Sequence, residues 1–271
     1  MNYRSQLRDK QRIVIKIGTA LLTLEDARID LLRMERIARV ISGLHEMKKE
    51  VVLVSSGAVG AGMGKLFLNT KPETVAEKQA LAAIGQASLL RMYETFFDEY
   101  NKVIGQVLLT RDGIEIAQRR ENAINTLEQL LKMKVIPIIN ENDTVATEEL
   151  EIGDNDMLSC IVATLINADL LIILTNTDGV FTADPGKDRN ARRLSLVSGD
   201  QEELNGVVTD GKSQLGSGGM SSKIQAAGFC QKNNIDAIIA EGSDPSVLYR
   251  ILEGEDIGTL FLSNRTQVQT S

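Results

Sequence analysis

The chain has 271 residues, 43% apolar and 25% charged, and its 37 acidic against 30 basic side chains give a net charge of −7. A chain of this size buries roughly 75% of the surface its unfolded form exposes, so its core needs neither a disulfide nor a metal staple. The acidic balance argues against a nucleic-acid binder, which holds phosphates with an excess of Lys and Arg. It also obliges any anionic ligand to be met by locally placed cations. Residues 1–11 lack the apolar core of a signal peptide, and no run of roughly 18 apolar residues exists to span a membrane, so a cytoplasmic protein is expected. Cys160 and Cys230 lie in apolar helical stretches and read as small buried hydrophobes. The one histidine, His45, sits mid-helix among polar neighbours and reads as solvated. A single histidine leaves no basis for a Cys/His metal site or a Ser-His-Asp triad.

Along the chain, short β-branched runs alternate with amphipathic stretches. Arg12–Ile17 reads as a buried strand, and Ile37, Val40, Ile41 and Leu44 mark one face of a helix over residues 30–49. A strand follows at 51–54, a long helix at 74–100, a strand at 103–109, a helix across 114–133 and a strand at 135–139. A polar, hairpin-like insertion is expected at 143–153, then a helix at 155–167 and a strand at 170–174. The last third predicts a hairpin at 177–183, a helix from Met220, a strand at 237–239, a helix near 245–252 and a strand at 259–262. Continuously apolar strands alternating with helices imply an α/β fold with a mostly parallel sheet covered on both faces. Ligands then sit beyond the carboxyl ends of the strands. Those ends are followed by Gly18-Thr19, Ser55-Ser56-Gly57, residues 140–143 and residues 175–178, each rich in small or polar side chains.

Gly60, Gly62 and Gly64 before Lys65 fail both nucleotide-loop patterns: Val59 and Leu66 break the Walker spacing, and Lys65 breaks GxGxxG. Ser55-Ser56-Gly57-Ala58 reads either as a tight turn or as a strand-to-helix corner whose N–H groups face an anion. In Gly216-Ser217-Gly218-Gly219-Met220-Ser221-Ser222-Lys223, three glycines allow a nest of N–H donors, and Ser221 or Ser222 is available to cap the following helix. Lys223 then stands in the first helical turn, where the macrodipole disfavours a cation unless an anion joins it. The alternative is a flexible linker with an exposed lysine. Lys16 interrupts an apolar strand; it is either an edge residue facing solvent or a buried cation with a partner. Of Asp154-Asn155-Asp156, Asp154 suits an N-cap, and three polar residues exceed what a cap needs. A carboxylate is already ionised near neutral pH, so a protein without a placed histidine base can still phosphorylate one. That chemistry asks for cations, N–H donors and Mg²⁺ to gather two anions.

The segments Lys16-Ile17-Gly18-Thr19, Ser55-Ser56-Gly57-Ala58, Asn140-Glu141-Asn142-Asp143, Gly153-Asp154-Asn155-Asp156, Thr182-Ala183-Asp184-Pro185 and Gly218-Gly219-Met220-Ser221-Ser222-Lys223 together resemble the amino acid kinase family. The resemblance runs from near Ile13 to Leu262. NENDTVAT (140–147), IGDNDMLS (152–159), KQALAAIGQ (78–86) and GTLF (258–261) are similar to members that phosphorylate free glutamate. The resemblance implies a single domain over 1–271 with a three-layer αβα, carbamate kinase-like fold. Its part up to about 165 would form the amino-acid side and the part from about 166 the ATP side. It implies conversion of ATP and L-glutamate to ADP and γ-glutamyl phosphate, opening proline biosynthesis, with Mg²⁺ held mainly by phosphate oxygens and water. Lys16 and Lys223 would act on the transferring phosphate, with Asp156 orienting them and Asp154 a weaker candidate for the same task. Ser56, Asp143 and Asn155 would hold glutamate; Thr175, Asn176 and the loop Ser217, Gly218, Gly219, Met220, Ser221, Ser222 and Lys223 would line the ATP site. Proline is implied as a feedback inhibitor, and a homo-oligomer as the assembly. Asn176 and Ser217 stand where the family often has Asp and Thr, and the C-terminal PUA domain of many relatives is not expected here. The alternatives are a family member acting on acetylglutamate or carbamate, or a non-catalytic relative that binds nucleotide or amino acid.

Overall fold

The computed structural model describes residues 3–24, 28–68, 70–145, 154–198, 204, 207 and 219–263. A short 3-10 helix, Tyr3–Asp9, precedes β1 (Arg12–Ile17), α1 (Thr19–Leu22), α2 (Leu31–Glu46), β2 (Glu50–Ser55), α3 (Ala58–Lys65) and α4 (Val75–Asp98). Then follow β3 (Ile104–Leu109), α5 (Arg111–Glu115), α6 (Ala117–Lys132), β4 (Ile136–Glu141), α7 (Asn155–Leu165) and β5 (Leu170–Thr175). The chain continues through β6 (Leu196–Val197), α8 (Met220–Lys232), β7 (Asp236–Glu241), α9 (Val247–Leu252) and β8 (Thr259–Phe261).

The strands form one sheet in the order β3-β4-β2-β1-β5-β7-β8-β6. Every pairing is parallel except β7 with β8. Strand residues alternate between the two faces, and both faces are covered. Ile13, Ile15 and Ile17 join a core with Met34, Ile37 and Ile41 of α2, Tyr93 and Phe97 of α4, and Leu248 and Ile251 of α9. Val14 joins the opposite core with Leu127 of α6, Leu158 and Cys160 of α7, and Ala226 and Cys230 of α8. The result is the expected three-layer αβα sandwich, with both cysteines buried as expected. Lys16 follows the parity of Val14, so its side chain belongs to the α7–α8 face. It is also paired on both sides, against Val54 of β2 and Ile173 of β5, which rules out an edge lysine.

Several expectations change. The helix expected across 114–133 is two helices, because the chain turns extended at Ile116 (φ −76°, ψ 116°) and Thr110 caps α5 separately. No proline stands between 111 and 133 to mark this break. In place of a local hairpin at 177–183, Phe181 forms a bridge with Arg193, and the Leu194 N–H donates to the Val180 carbonyl at 2.8 Å. Of the insertion expected at 143–153, residues 146–153 lie outside the described residues. His45 is half-buried rather than solvated; burial, then Lys102, lowers its pKa. Among the described residues no helix is long and apolar enough to cross a membrane.

Of the glycines before Lys65, Gly62 serves packing. A Cβ on Gly62 would lie 2.0 Å from the Leu81 carbonyl oxygen, and one on Gly85 would lie 1.7 Å from that of Ala58. Helices α3 and α4 therefore cross backbone on backbone. Gly85→Ala is expected to cost roughly 1–3 kcal/mol or more, because the obstacle is main chain and cannot rotate away. The readout is a fall in Tm of several degrees; an unchanged Tm would show that the crossing relaxes freely.

Candidate active site

The site forms where the central strands end. β1 passes through Gly18 into α1, and β2 passes through Ser56 and Gly57 into α3. Gly57 has φ 100°, a conformation that strains any residue with a Cβ. The Ser56 N–H donates to the Ile17 carbonyl at 3.1 Å, tying the two strand ends together. With the end of β5 and the starts of α7 and α8, these ends enclose a cavity. Its lining includes Lys16, Gly18, Thr19, Ser56, Asp154, Asn155, Asp156, Thr175, Asn176 and Lys223.

Helix starts around the cavity are of two kinds. α7 carries a side-chain cap from Asp154. α3 and α8 start on Gly57 and Gly219 with no side-chain cap. Uncapped first-turn N–H groups are the usual donors to a phosphate or carboxylate. The expected capping of α8 by Ser221 or Ser222 is therefore corrected. Ser222 instead places its Oγ 2.9 Å from Asp156 Oδ2 and 2.9 Å from the Gly219 carbonyl. Asp154 does cap α7, accepting from the Met157 N–H at 2.9 Å.

Asp156 is the centre of the charge arrangement. Its side chain is fully buried, with Lys16 Nζ 2.6 Å from Oδ1 and Lys223 Nζ 3.0 Å from Oδ2. Burial pushes the Asp156 carboxyl up, but Lys16 and Lys223 together outweigh it and hold the pKa below the ordinary value. For Lys16 burial is the largest influence and lowers the pKa; Asp156 offsets this in part, and Lys223 lowers it further. One carboxylate thus serves two buried ammonium groups in this trio, and the Asp154 carboxylate also acts on Lys16. Gly18 leaves the room it needs: a Cβ there would sit 3.3 Å from Lys16 Nζ.

Residues 11–241 match the model of the amino acid kinase family. The chain belongs to the amino acid kinase family. This amino acid kinase is 47% identical over 266 residues to a glutamate 5-kinase of Clostridium perfringens, an alignment covering 97% of the chain and 99% of the relative. It is 45% identical over 268 residues to a glutamate 5-kinase of Listeria monocytogenes serovar 1/2a, covering 97% of each. A UMP kinase structure from Bacillus anthracis shares the fold at a TM-score of 0.64 and 18% identity, covering 94% of this chain and 97% of that one. An isopentenyl phosphate kinase from T. acidophilum does so at 0.64 and 15%, covering 93% and 100%.

In this amino acid kinase a second, uncharged cluster lies beside the trio. Asn155 Nδ2 donates to Ser56 Oγ at 2.7 Å and to Asn140 Oδ1 at 2.8 Å. Asn140 Nδ2 donates to Gln86 Oε1 at 2.8 Å. Asn140 and Gln86 are absent from the residues singled out above, although both lie in segments that carried the resemblance. Of the expected site residues, Lys16, Ser56, Asn155, Asp156, Thr175, Asn176 and Lys223 meet at the cavity. Thr175 is buried and Asn176 exposed, 3.4 Å apart through Oγ1 and Oδ1. Gly219, Met220 and Ser221 form the start of α8, whereas Ser217 and Gly218 lie outside the described residues. Asp143 is half-buried in the turn after β4 and does not line the cavity.

Proposed function

We propose that this amino acid kinase transfers the γ-phosphoryl group of ATP to the γ-carboxylate of L-glutamate, opening proline biosynthesis. The observation that carries the reading is the buried Asp156 carboxylate holding Lys16 and Lys223 at the cavity. A carboxylate oxygen of glutamate attacks the γ-phosphorus, and the bond to the bridging oxygen of ADP breaks. The nucleophile is ionised already, so no base is required. The remaining problem is to gather anions and offset charge on the transferring group, which Lys16, Lys223 and the uncapped starts of α3 and α8 would do.

Ser56 and Asn155 would hold glutamate, and Asp143, outside the cavity lining in the turn after β4, would have to reach its α-ammonium group from there. Thr175, Asn176 and the 217–223 segment would line the ATP side, so the part of the chain up to about 165 serves the amino acid and the rest the nucleotide. Both oxygens of Asp156 are engaged by lysines, so Mg²⁺ would be carried by phosphate oxygens and water. When bound, the metal would neutralise charge on the phosphates. Proline shares the α-amino and α-carboxyl groups of glutamate and would compete for the same pocket.

The test is ADP release with glutamate, acetylglutamate and carbamate under identical conditions. Turnover with glutamate alone is expected. Preference for acetylglutamate or carbamate, or no turnover with any, would overturn the reading. Asp143→Ala and Asn155→Ala should each raise the KM for glutamate about 10–100-fold, the loss of one charge-assisted hydrogen bond of roughly 1.5–3 kcal/mol. The KM for MgATP should stay near that of the unmodified protein. Equal effects on both substrates would remove these residues from the glutamate pocket.

A further inference from the structure

The amide cluster beside the lysines has a direction, and that direction has a chemical consequence. Asn155 Nδ2 lies 3.3 Å from the Ser55 carbonyl oxygen, which can only accept. The nitrogen end of Asn155 therefore faces into the protein. Asn140 must then turn its oxygen toward Asn155 and its nitrogen toward Gln86, and Gln86 must present its oxygen. The chain ends on α4, which Gly85 brings against the start of α3. Tyr93, two turns after Gln86, hydrogen-bonds Ser55 Oγ at 2.9 Å, so α4 grips the end of β2 beside the same cluster.

The two N–H bonds of Asn155 are taken up by Ser56, Asn140 and the Ser55 carbonyl, which leaves Oδ1 as the end available to the cavity that Asn155 lines. A carbonyl oxygen at that place accepts from an ammonium group and repels a carboxylate. Reversing the amide would present a donor and invert this preference. We propose that Gln86 is a positioning residue: through Asn140 it reinforces the orientation of the Asn155 amide that the Ser55 carbonyl sets, and so favours a free α-ammonium group over an N-acylated one. This inference rests on the glutamate reading above.

The test compares Gln86→Leu, which removes the acceptor, with Gln86→Glu, which keeps an oxygen at the same reach. In Gln86→Leu the KM for glutamate should rise about tenfold, the cost of one misoriented polar contact. The KM for MgATP should hold, and the preference for glutamate over acetylglutamate should narrow. Gln86→Glu should restore the KM for glutamate to within about twofold of the unmodified protein, because the direction of the chain is kept. The rise in Tm produced by saturating glutamate is read alongside and needs no turnover. It should shrink in Gln86→Leu and return in Gln86→Glu. An unchanged KM in Gln86→Leu, a parallel rise in both KM values, or a Glu variant as impaired as the Leu variant would overturn the proposal. If Gln86→Leu does not fold, Gln86→Met, closer in volume, carries the same expectations. Absence of glutamate turnover in the unmodified protein would instead count against the functional reading, and the Tm readout separates the two.

Discussion

Lys16→Ala and Lys223→Ala are each expected to fold and to lose about 10²–10³ in kcat at saturating MgATP and glutamate, roughly 2.7–4 kcal/mol of transition-state stabilisation. The expectation rests on position. Lys16 sits in the central strand with its ammonium group at the cavity, and Lys223 reaches the same carboxylate from the first turns of α8. Groups that contact oxygens whose charge shifts during transfer act more on the transition state than on bound substrate, so kcat should fall more than KM rises. Because Asp156 holds both, the double variant should lose less than the product of the single effects. If the lysines were merely structural, Lys16→Met would be neutral or stabilising and would leave turnover intact. Steady-state kinetics decides between these outcomes: a near-normal kcat in either alanine variant would reject the assignment.

Asp156→Ala should act on the fold as well as on turnover. Removing the shared carboxylate leaves two buried ammonium groups facing each other, and breaking a buried pair on one side costs about 3–5 kcal/mol. For a chain of this length that corresponds to a fall in Tm on the order of 10 °C. Adding Lys16→Met in the Asp156→Ala background should recover part of the loss, since one uncompensated charge is gone. An unaltered Tm in Asp156→Ala would mean that both ammonium groups find water or another partner, and that the trio contributes nothing to stability. The pH dependence has a definite sign. The folded pKa of Asp156 lies below the ordinary aspartate value of 3.8, so its contribution is fully present above that value and is lost as the pH falls through the folded pKa. Acid unfolding of the unmodified protein should therefore steepen below about pH 3.8 relative to an Asp156→Ala variant.

Much of this site was legible because its residues violate local rules. A lysine inside an apolar strand and a lysine at a helix start are each unfavourable alone, and their shared partner resolves both. Of Asp154, Asn155 and Asp156, the first caps as its place before an apolar helix suggested, and Asp156 turns inward to the lysines. The glycine pattern of α3 misled in the opposite way, since its spacing mimics a phosphate loop while Gly62 serves a helix crossing. Gln86 and Asn140 left no comparable signal. Each is an ordinary polar residue where it stands, and only three segments brought together give them meaning. The break at Ile116 was hidden for a related reason, because no proline or glycine stands at the extended residue itself.

The site is also scattered along the chain. Asp156 and Lys223 are 67 positions apart, Ser56 and Asn155 are 99 apart, and Arg4 reaches the Gly258 carbonyl across 254 positions. During synthesis the ribosome would release β1 with Lys16 early and α8 with Lys223 near the end. Until then Lys16 and Asp156 would lack their third member, and β5 would lack the neighbour that β7 provides. Strand pairings between such distant segments form slowly, because loop closure must come before the contacts that reward it. The capacity to bind two anions is thus a property of the finished chain, acquired at the last stage of its folding.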